Sequence, residues 1–310
     1  MKKLLGIFFV FLLGVALMSC GEKEYPIDGE YLAYELSVSR NAPQVVFVKV
    51  TIDNGEIASY HIDTRQGTRS GDGSEASPYA FAWNEKTKVE LGYDYGMKAN
   101  SEIDKEWFEQ ASALEAFWLE NGLDAVETDQ DGYVDNVTGA SFKDSYTAVA
   151  KKALENAKAG KFISIYASGT DLYTAEMVLK TNGDIDSLVL DVRQSTRSTT
   201  EGTFVWNENT KQQLGDDYGM KGVGSGYTFE NGAWIASGSQ ATLEWYEQVN
   251  LITQYVIENG WSTSLQPVAQ RGGSLDGTTL IDDLAGATIR TGGYFTVLKN
   301  LFEQAGNSVK

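Results

Sequence analysis

The chain has 310 residues, 43 of them Asp or Glu and 25 Lys or Arg, for a net charge of −18 at pH 7. Such a surface repels nucleic acid and anionic lipid headgroups, so neither is expected as a partner, whereas metal ions and other cations are tolerated. A lone cysteine, Cys20, and a lone histidine, His61, exclude a disulfide and a Cys/His zinc site. Stability must then come from a hydrophobic core, which this length supplies, with two domains as the expectation.

The first residues read as a targeting segment. Lys2 and Lys3 form a basic start, Leu4 to Leu17 is an almost uninterrupted apolar run, and Leu17-Met18-Ser19-Cys20 closes it. The run is too short for a comfortable membrane span, and no other stretch is apolar enough to be one. The closing tetrapeptide resembles the bacterial lipobox. That likeness implies a signal peptide over residues 1–19, a lipid on the Cys20 sulfur, and a short linker over 20–28. The expected location is the extracellular face of the cell membrane, with the lipid as anchor. An ordinary secretory signal cut near Ser19 is the alternative. A released peptide from Phe8 to Ser19 acting as a secreted signal is a further possibility. Loss of Lys2 and Lys3 leaves a net charge of −20.

Beyond the leader, Gln44 to Tyr60 reads as a hairpin. Val46, Val48 and Val50 alternate, and Asp53-Asn54-Gly55 supplies the positive φ angles of a tight turn. The same pattern recurs from Glu176 to Leu190 around Asn182-Gly183. Asp63-Thr64-Arg65-Gln66-Gly67-Thr68-Arg69 matches Asp191-Val192-Arg193-Gln194-Ser195-Thr196-Arg197. Phe81 to Lys98 matches Phe204 to Lys221, both ending Tyr-Gly-Met-Lys. Glu106-Trp107-Phe108-Glu109-Gln110 matches Glu244-Trp245-Tyr246-Glu247-Gln248, each opening a helical pattern. The first helix presents Trp107, Leu114, Phe117 and Trp118 and stops at Gly122; the second presents Trp245, Val249, Ile252 and Val256 and stops at Gly260. A Gly/Ser-rich insertion between Lys221 and Glu244 is expected to be a surface loop. A further helix closes each copy, carrying Tyr146, Val149, Ala150, Ala153 and Leu154 in one and Phe295, Leu298 and Phe302 in the other. The unit is far longer than a solenoid repeat, so the chain reads as two tandem α+β domains, residues 29–160 and 161–310, each an antiparallel or mixed sheet with packed helices. Their short junction near Ala159-Gly160 should hold them close.

Just before each closing helix stands one short motif. Asp135-Asn136-Val137-Thr138-Gly139-Ala140-Ser141 and Asp282-Asp283-Leu284-Ala285-Gly286-Ala287-Thr288 both fit D-x-x-[small]-G-A-[Ser/Thr]. A hydroxyl after two minimal side chains can be reached by a bulky group and esterified. A helix starting a few residues on would offer free N–H groups and its dipole to a phosphate. The upstream Asp135 and Asp282 could orient the loop or hold a metal ion during attachment. A plain loop with a hydroxyl near an N-cap is the bland alternative for either motif alone.

These motifs resemble those of the FMN-binding domain family, in which a magnesium-dependent FMN transferase joins FMN through its phosphate to the final hydroxyl. The resemblance implies covalent FMN on Ser141 and Thr288. It makes Asp135, Thr138, Gly139 and Ala140, and Asp282, Ala285, Gly286 and Ala287, the recognition residues. It covers nearly everything after Cys20 and extends to the two-domain lipoproteins of Gram-positive extracellular electron transfer. Their likeness implies an electron carrier without substrate turnover of its own. A membrane quinone-linked donor would supply electrons, and ferric iron or soluble flavin would take them. The first site departs from the pattern in ending in Ser, the second in carrying Ala285 where Ser or Thr is usual.

For the isoalloxazine ring, Trp83 and Trp206 are candidate walls together with Met97 and Met220, while Lys98 and Lys221 are candidates for the phosphate or the reduced ring edge. Two core tryptophans shared by duplicates are the alternative. Arg65, Arg69, Arg193 and Arg197 read as solvated strand-edge charges rather than flavin contacts. Asp129-Gln130-Asp131-Gly132 fails the EF-hand spacing and reads as a turn, so no metal site is assigned. His61 has no nucleophile beside it and is given no catalytic role. A non-redox surface lipoprotein that binds a phosphate-containing ligand is the competing function.

Overall fold

The computed structural model describes residues 23–223, 227–230, 233–236, 240–261, 289 and 292–310. The leader with Cys20, and the second motif from Asp282 to Thr288, lie outside the described residues. The architecture is α+β, with curled antiparallel sheets flanked by helices. Strands β1 (Gly29–Ser39), β2 (Ala42–Asp53), β3 (Glu56–Ser70) and β4 (Ala80–Trp83) form one sheet in sequential order. A second sheet holds β5 (Lys161–Ser168), β6 (Asp171–Leu179) and β7 (Ile185–Arg193). Two short ribbons follow, β8 (Ser195–Arg197) with β9 (Phe204–Trp206), and β10 (Tyr227–Glu230) with β11 (Ala233–Ala236). The helices are α1 (Lys88–Leu91), α2 (Trp107–Asn121), α3 (Thr147–Lys158), α4 (Lys211–Leu214), α5 (Trp245–Asn259) and α6 (Gly292–Ala305).

The hairpin at Asn54-Gly55 forms with φ of 55° and 80°, the pair of positive angles that joins β2 to β3 in two residues. Along β2, Val46, Val48, Val50 and Ile52 are buried in alternation and face the main core. The second hairpin is looser: β6 ends at Leu179 and β7 begins at Ile185, and Gly183 N–H donates to Lys180 O across the loop. Helix α2 packs on β3 and α5 on β7, while α3 covers β1 and β2 and α6 covers β5 and β6. Part of the insertion after Lys221 is the β10–β11 ribbon rather than plain loop, because Tyr227–Glu230 and Ala233–Ala236 pair in register.

Sheet β1–β4 and sheet β5–β7 are not independent bodies. One apolar cluster runs through both, taking Val48, Trp118 and Ala150 from the first half and Met177, Val249 and Leu298 from the second. Equivalent residues of the two copies meet face to face. Tyr31 and Phe162, each at the start of its sheet's first strand, stack with centroids 4.3 Å apart. Phe81 lies 5.8 Å from Phe204, and Trp83 lies 5.9 Å from Trp206. This is the geometry of an isologous contact, in which one patch meets its own copy. A second cluster sits there, with Tyr34, Leu36, Val45 and Trp83 on one side and Ile165, Ala167, Leu172 and Trp206 on the other. Each tryptophan donates across the divide, Trp83 Nε1 to Asp171 O at 3.2 Å and Trp206 Nε1 to Ser37 O at 2.8 Å.

Phe162 is fully buried on this seam. Phe162→Ala should cost about 3–5 kcal/mol, the usual range for emptying an aromatic site. With a shared core, urea unfolding followed at both halves should remain one transition. Two separated transitions in the wild-type chain would show that the seam does not couple them.

Candidate functional site

The site in the first half is built from the N-terminus of α2 outward. Glu106 stands at the N-cap position with extended backbone and is 3% exposed. Its carboxylate accepts Met97 N–H at 2.8 Å and Lys98 N–H at 3.0 Å, and Glu109 accepts Glu106 N–H at 2.8 Å. The second half repeats this: Glu244 accepts Met220 N–H at 2.8 Å and Lys221 N–H at 2.9 Å. The repeated Glu-Trp-[Phe/Tyr]-Glu block therefore pins the Tyr-Gly-Met-Lys turn to the helix start.

One turn along α2, Gln110 is fully buried and joins four segments. Its Oε1 accepts Ser141 N–H at 2.9 Å and lies 3.4 Å from Ser141 Oγ, where the hydroxyl can donate. Its Nε2 donates to Ser101 Oγ at 3.0 Å and Lys105 O at 3.2 Å, and approaches Met97 Sδ at 3.9 Å. In the second half, Gln248 Nε2 reaches Met220 Sδ at 3.6 Å and Leu243 O at 3.1 Å. Gln110 and Glu106 were not anticipated as site residues; their recurrence as Gln248 and Glu244 was the only sign.

Ser141 is half-buried and opens on a cleft of ≈ 710 Å³ lined also by Met97, Ser101, Glu102, Asp131 and Asp135. The structure thus brings Ser141, Asp135 and Met97 together. Gly139 has φ of 95°, so the turn before Ser141 needs a glycine, and Ala140 N–H closes it onto Val137 O. Ala140 is buried, while Thr138 and Asp135 are exposed. The side chain that holds the loop is Asn136, whose Oδ1 accepts Glu127 N–H and whose Nδ2 donates to Ala125 O, while Asp135 contributes its backbone N–H to Glu127 O. Asp129 Oδ1 accepts Asp131 and Tyr133 N–H groups, which makes Asp129–Gly132 a turn. Among the described residues no group of three or more His, Cys, Asp or Glu side chains is placed to hold a metal ion.

Other expected residues fall elsewhere. Trp83 and Trp206 sit on the seam between the halves and do not line the cleft. Lys98 Nζ lies 3.6 Å from Asp104, both exposed. At the start of helix α3, Asp144 Oδ1 already takes the N–H groups of Tyr146 and Thr147, each at 2.9 Å. Arg65 and Arg193 are not solvated edge charges. They donate to Asn84 O and Asn207 O and clamp the loop after each tryptophan, while Arg69 donates to Gly202 O across the halves and Arg197 is exposed. His61 Nδ1 lies 3.9 Å from Glu115. Met220 and Lys221 are described, but Ala285, Gly286, Ala287 and Thr288 lie outside the described residues, so the second site has no geometry here.

Behind the cleft, Trp107 Nε1 donates to Tyr146 OH at 3.2 Å, and Trp245 Nε1 to Tyr294 OH at 2.8 Å. Over each ring lies a lysine, Lys88 Nζ 4.9 Å from the Trp107 centroid and Lys211 Nζ 5.3 Å from that of Trp245. Burial pushes Lys88 down to about 8, against the pull of nearby Asp63.

No protein-family model matches the chain, and no curated protein matches it. A solution NMR structure from Clostridium thermocellum, a Northeast Structural Genomics Consortium target, is 22% identical over 42% of this chain and 91% of its own. Its TM-score is 0.27, too slight a likeness to bear on fold or activity.

Gln110→Leu strips Ser141 N–H, Ser101 and Lys105 O of their partner and should cost about 2 kcal/mol in urea unfolding. Gln110→Glu, which buries a carboxylate and sets an oxygen against Lys105 O, should cost at least as much at pH 7 and less at low pH, where the acid is neutral and can donate. A Gln110→Glu variant as stable as wild type at pH 7 would show that these bonds do not hold the site. Lys88 gives a pH signature. Its folded value, about 8, lies below the ordinary 10.5, so between them the unfolded chain binds the extra proton. Stability must therefore rise with pH across that window. The difference in stability between wild type and Lys88→Met should grow from pH 8 to 10.5; a flat difference refutes the shift.

Proposed function

We propose that the chain is an electron-carrying flavoprotein of two tandem homologous FMN-binding domains, tethered to the outer face of the cell membrane through a lipid on Cys20. FMN is joined through its phosphate to Ser141 and Thr288 by a separate magnesium-dependent FMN transferase. Electrons enter from a membrane quinone-linked donor and leave to ferric iron or soluble flavin. One observation carries this reading. The Ser141 hydroxyl, terminal in a motif present twice, opens on a cleft of ≈ 710 Å³, within the size range of small-molecule sites.

The residues present fit such a group. Ser141 supplies the ester oxygen and is reachable because Gly139 and Ala140 precede it. Gln110 fixes the backbone of Ser141, so the attachment point is set by a buried, fully bonded side chain. Met97 and Tyr133 offer apolar surface along the cleft for a ring. Bound flavin supplies reversible electron uptake and release; the chain positions it and sets its surroundings. Glu102, Asp129, Asp131 and Asp135 give those surroundings a negative bias, which disfavours the reduced, anionic form of a ring held there. A covalent tether suits an exposed protein, since a released cofactor would be diluted and lost.

Produced beside its transferase, the denatured protein should fluoresce under ultraviolet light on a gel and exceed the mass of the same protein made without transferase by the equivalent of two FMN residues. Ser141→Ala or Thr288→Ala alone should remove about half the signal, and the double variant all of it. Colour that leaves on dialysis in denaturant would favour noncovalent phosphate-ligand binding instead. Protein that stays colourless, with both hydroxyls unaltered, rejects the flavin reading.

A further inference from the structure

The geometry points to Lys105 as the cation that holds the phosphate at Ser141. The inference rests on the acceptor role of Ser141 but makes a separate claim about charge. A methyl group built on Gly139 would lie 2.8 Å from Lys105 Nζ, so the ammonium sits directly against the turn that presents Ser141. The side chain is half-buried and makes no ion pair among the described residues. Its backbone is fixed to the same point as the acceptor, because Gln110 bonds Lys105 O through Nε2 and Ser141 N–H through Oε1. Cation and hydroxyl are thus set by one buried carboxamide.

The surroundings make such a cation necessary. The cleft carries Glu102, Asp129, Asp131 and Asp135 against one lysine, Lys143, and a phosphate ester brought to Ser141 adds another negative charge. The end of α3 is already partly neutralised, since the Asp144 carboxylate takes the N–H groups of Tyr146 and Thr147. Lys98 pairs with Asp104 at 3.6 Å, and Lys143 lines the cleft from its exposed rim, its stem 3.5 Å from a methyl position on Gly132 rather than against the Ser141 turn. That leaves Lys105 at the turn itself. Aligning Glu106 with Glu244 puts Leu243 at the position of Lys105. At that aligned position the second half therefore carries no charge.

The test uses full-length protein made without transferase, titrated with inorganic phosphate and followed by the amide signals of Gly139, Ala140 and Ser141. Wild type should show saturable shifts that weaken with salt. Lys105→Met should lower the apparent affinity about five- to tenfold, as expected for losing one close ion pair, while Lys105→Arg and Lys143→Met stay near wild type. A parallel thermal melt establishes that each variant is folded. No shift at these amides in wild type, or an equal shift in Lys105→Met, overturns the proposal. Mass mapping of Ser141 in protein made with transferase separates the two ideas. FMN on Ser141 with phosphate shifts indifferent to Lys105 keeps the flavin reading and sinks this one. Shifts that depend on Lys105, with Ser141 never flavinylated, do the reverse.

Discussion

A buried carboxamide has to be bonded at both ends, and Gln110 meets that demand with bonds to Ser141, Ser101 and Lys105 and a contact with Met97. Left half-bonded in the core it would cost on the order of 1–3 kcal/mol for each orphaned group. The loop carrying Ser141, the Tyr-Gly-Met-Lys turn and the start of α2 are therefore not free to drift apart. Glu106 reinforces the arrangement from one turn below, since its carboxylate is satisfied only while Met97 and Lys98 keep their backbone N–H groups in place. The Ser141 hydroxyl thus stands on a rigid base.

The same demand that buried surface be covered explains why the two halves share one apolar cluster. Each sheet leaves an apolar face beside its first strand, and the two copies cover each other's. Because the surfaces are equivalent, the contact is made by like on like: Tyr31 on Phe162, Phe81 beside Phe204, Trp83 beside Trp206. Buried indole N–H groups need acceptors, and each finds a backbone carbonyl of the other half. The repeated tryptophans are thereby accounted for by the seam.

Some of this was legible in the residues and some was not, for identifiable reasons. The Asn54-Gly55 hairpin and helices α2 and α5 follow from turn chemistry and apolar spacing that nothing in the tertiary structure opposes. Strands β1 and β5 were not foreseen. In β1, Tyr31, Leu32 and Ala33 are buried in succession, since α3 covers one face and the other half presses on the strand, so the alternation that marks a half-exposed strand is lost. The link between Met97 and Ser141 is a property of the fold, invisible at their separation in sequence. Gln110 was passed over because a glutamine inside a helix ordinarily faces water; only its second appearance, as Gln248, hinted otherwise. Lys98 was preferred to Lys105 because it recurs, and recurrence marks what the scaffold needs rather than what one site does.

That distinction orders the differences between the halves. Where a side chain is buried and bonded, both copies keep it: Glu106 and Glu244, Gln110 and Gln248, and the pairs Trp107–Tyr146 and Trp245–Tyr294. Where it faces the rim, they diverge. Tyr93 packs edge-on against Phe108 at 5.2 Å, whereas the matching Asp216 accepts a hydrogen bond from Tyr246 OH at 3.1 Å. Lys105 gives way to Leu243. Rim changes of this kind cost the fold little, because surface groups contribute little to stability. They act strongly on a charge-bearing cofactor nearby, whose charged form responds to each neighbouring ion. Under the proposed function, two redox centres on one scaffold would then differ in potential for electrostatic reasons alone. An ammonium beside a phosphate at Ser141 would bias that centre without any change in core or topology.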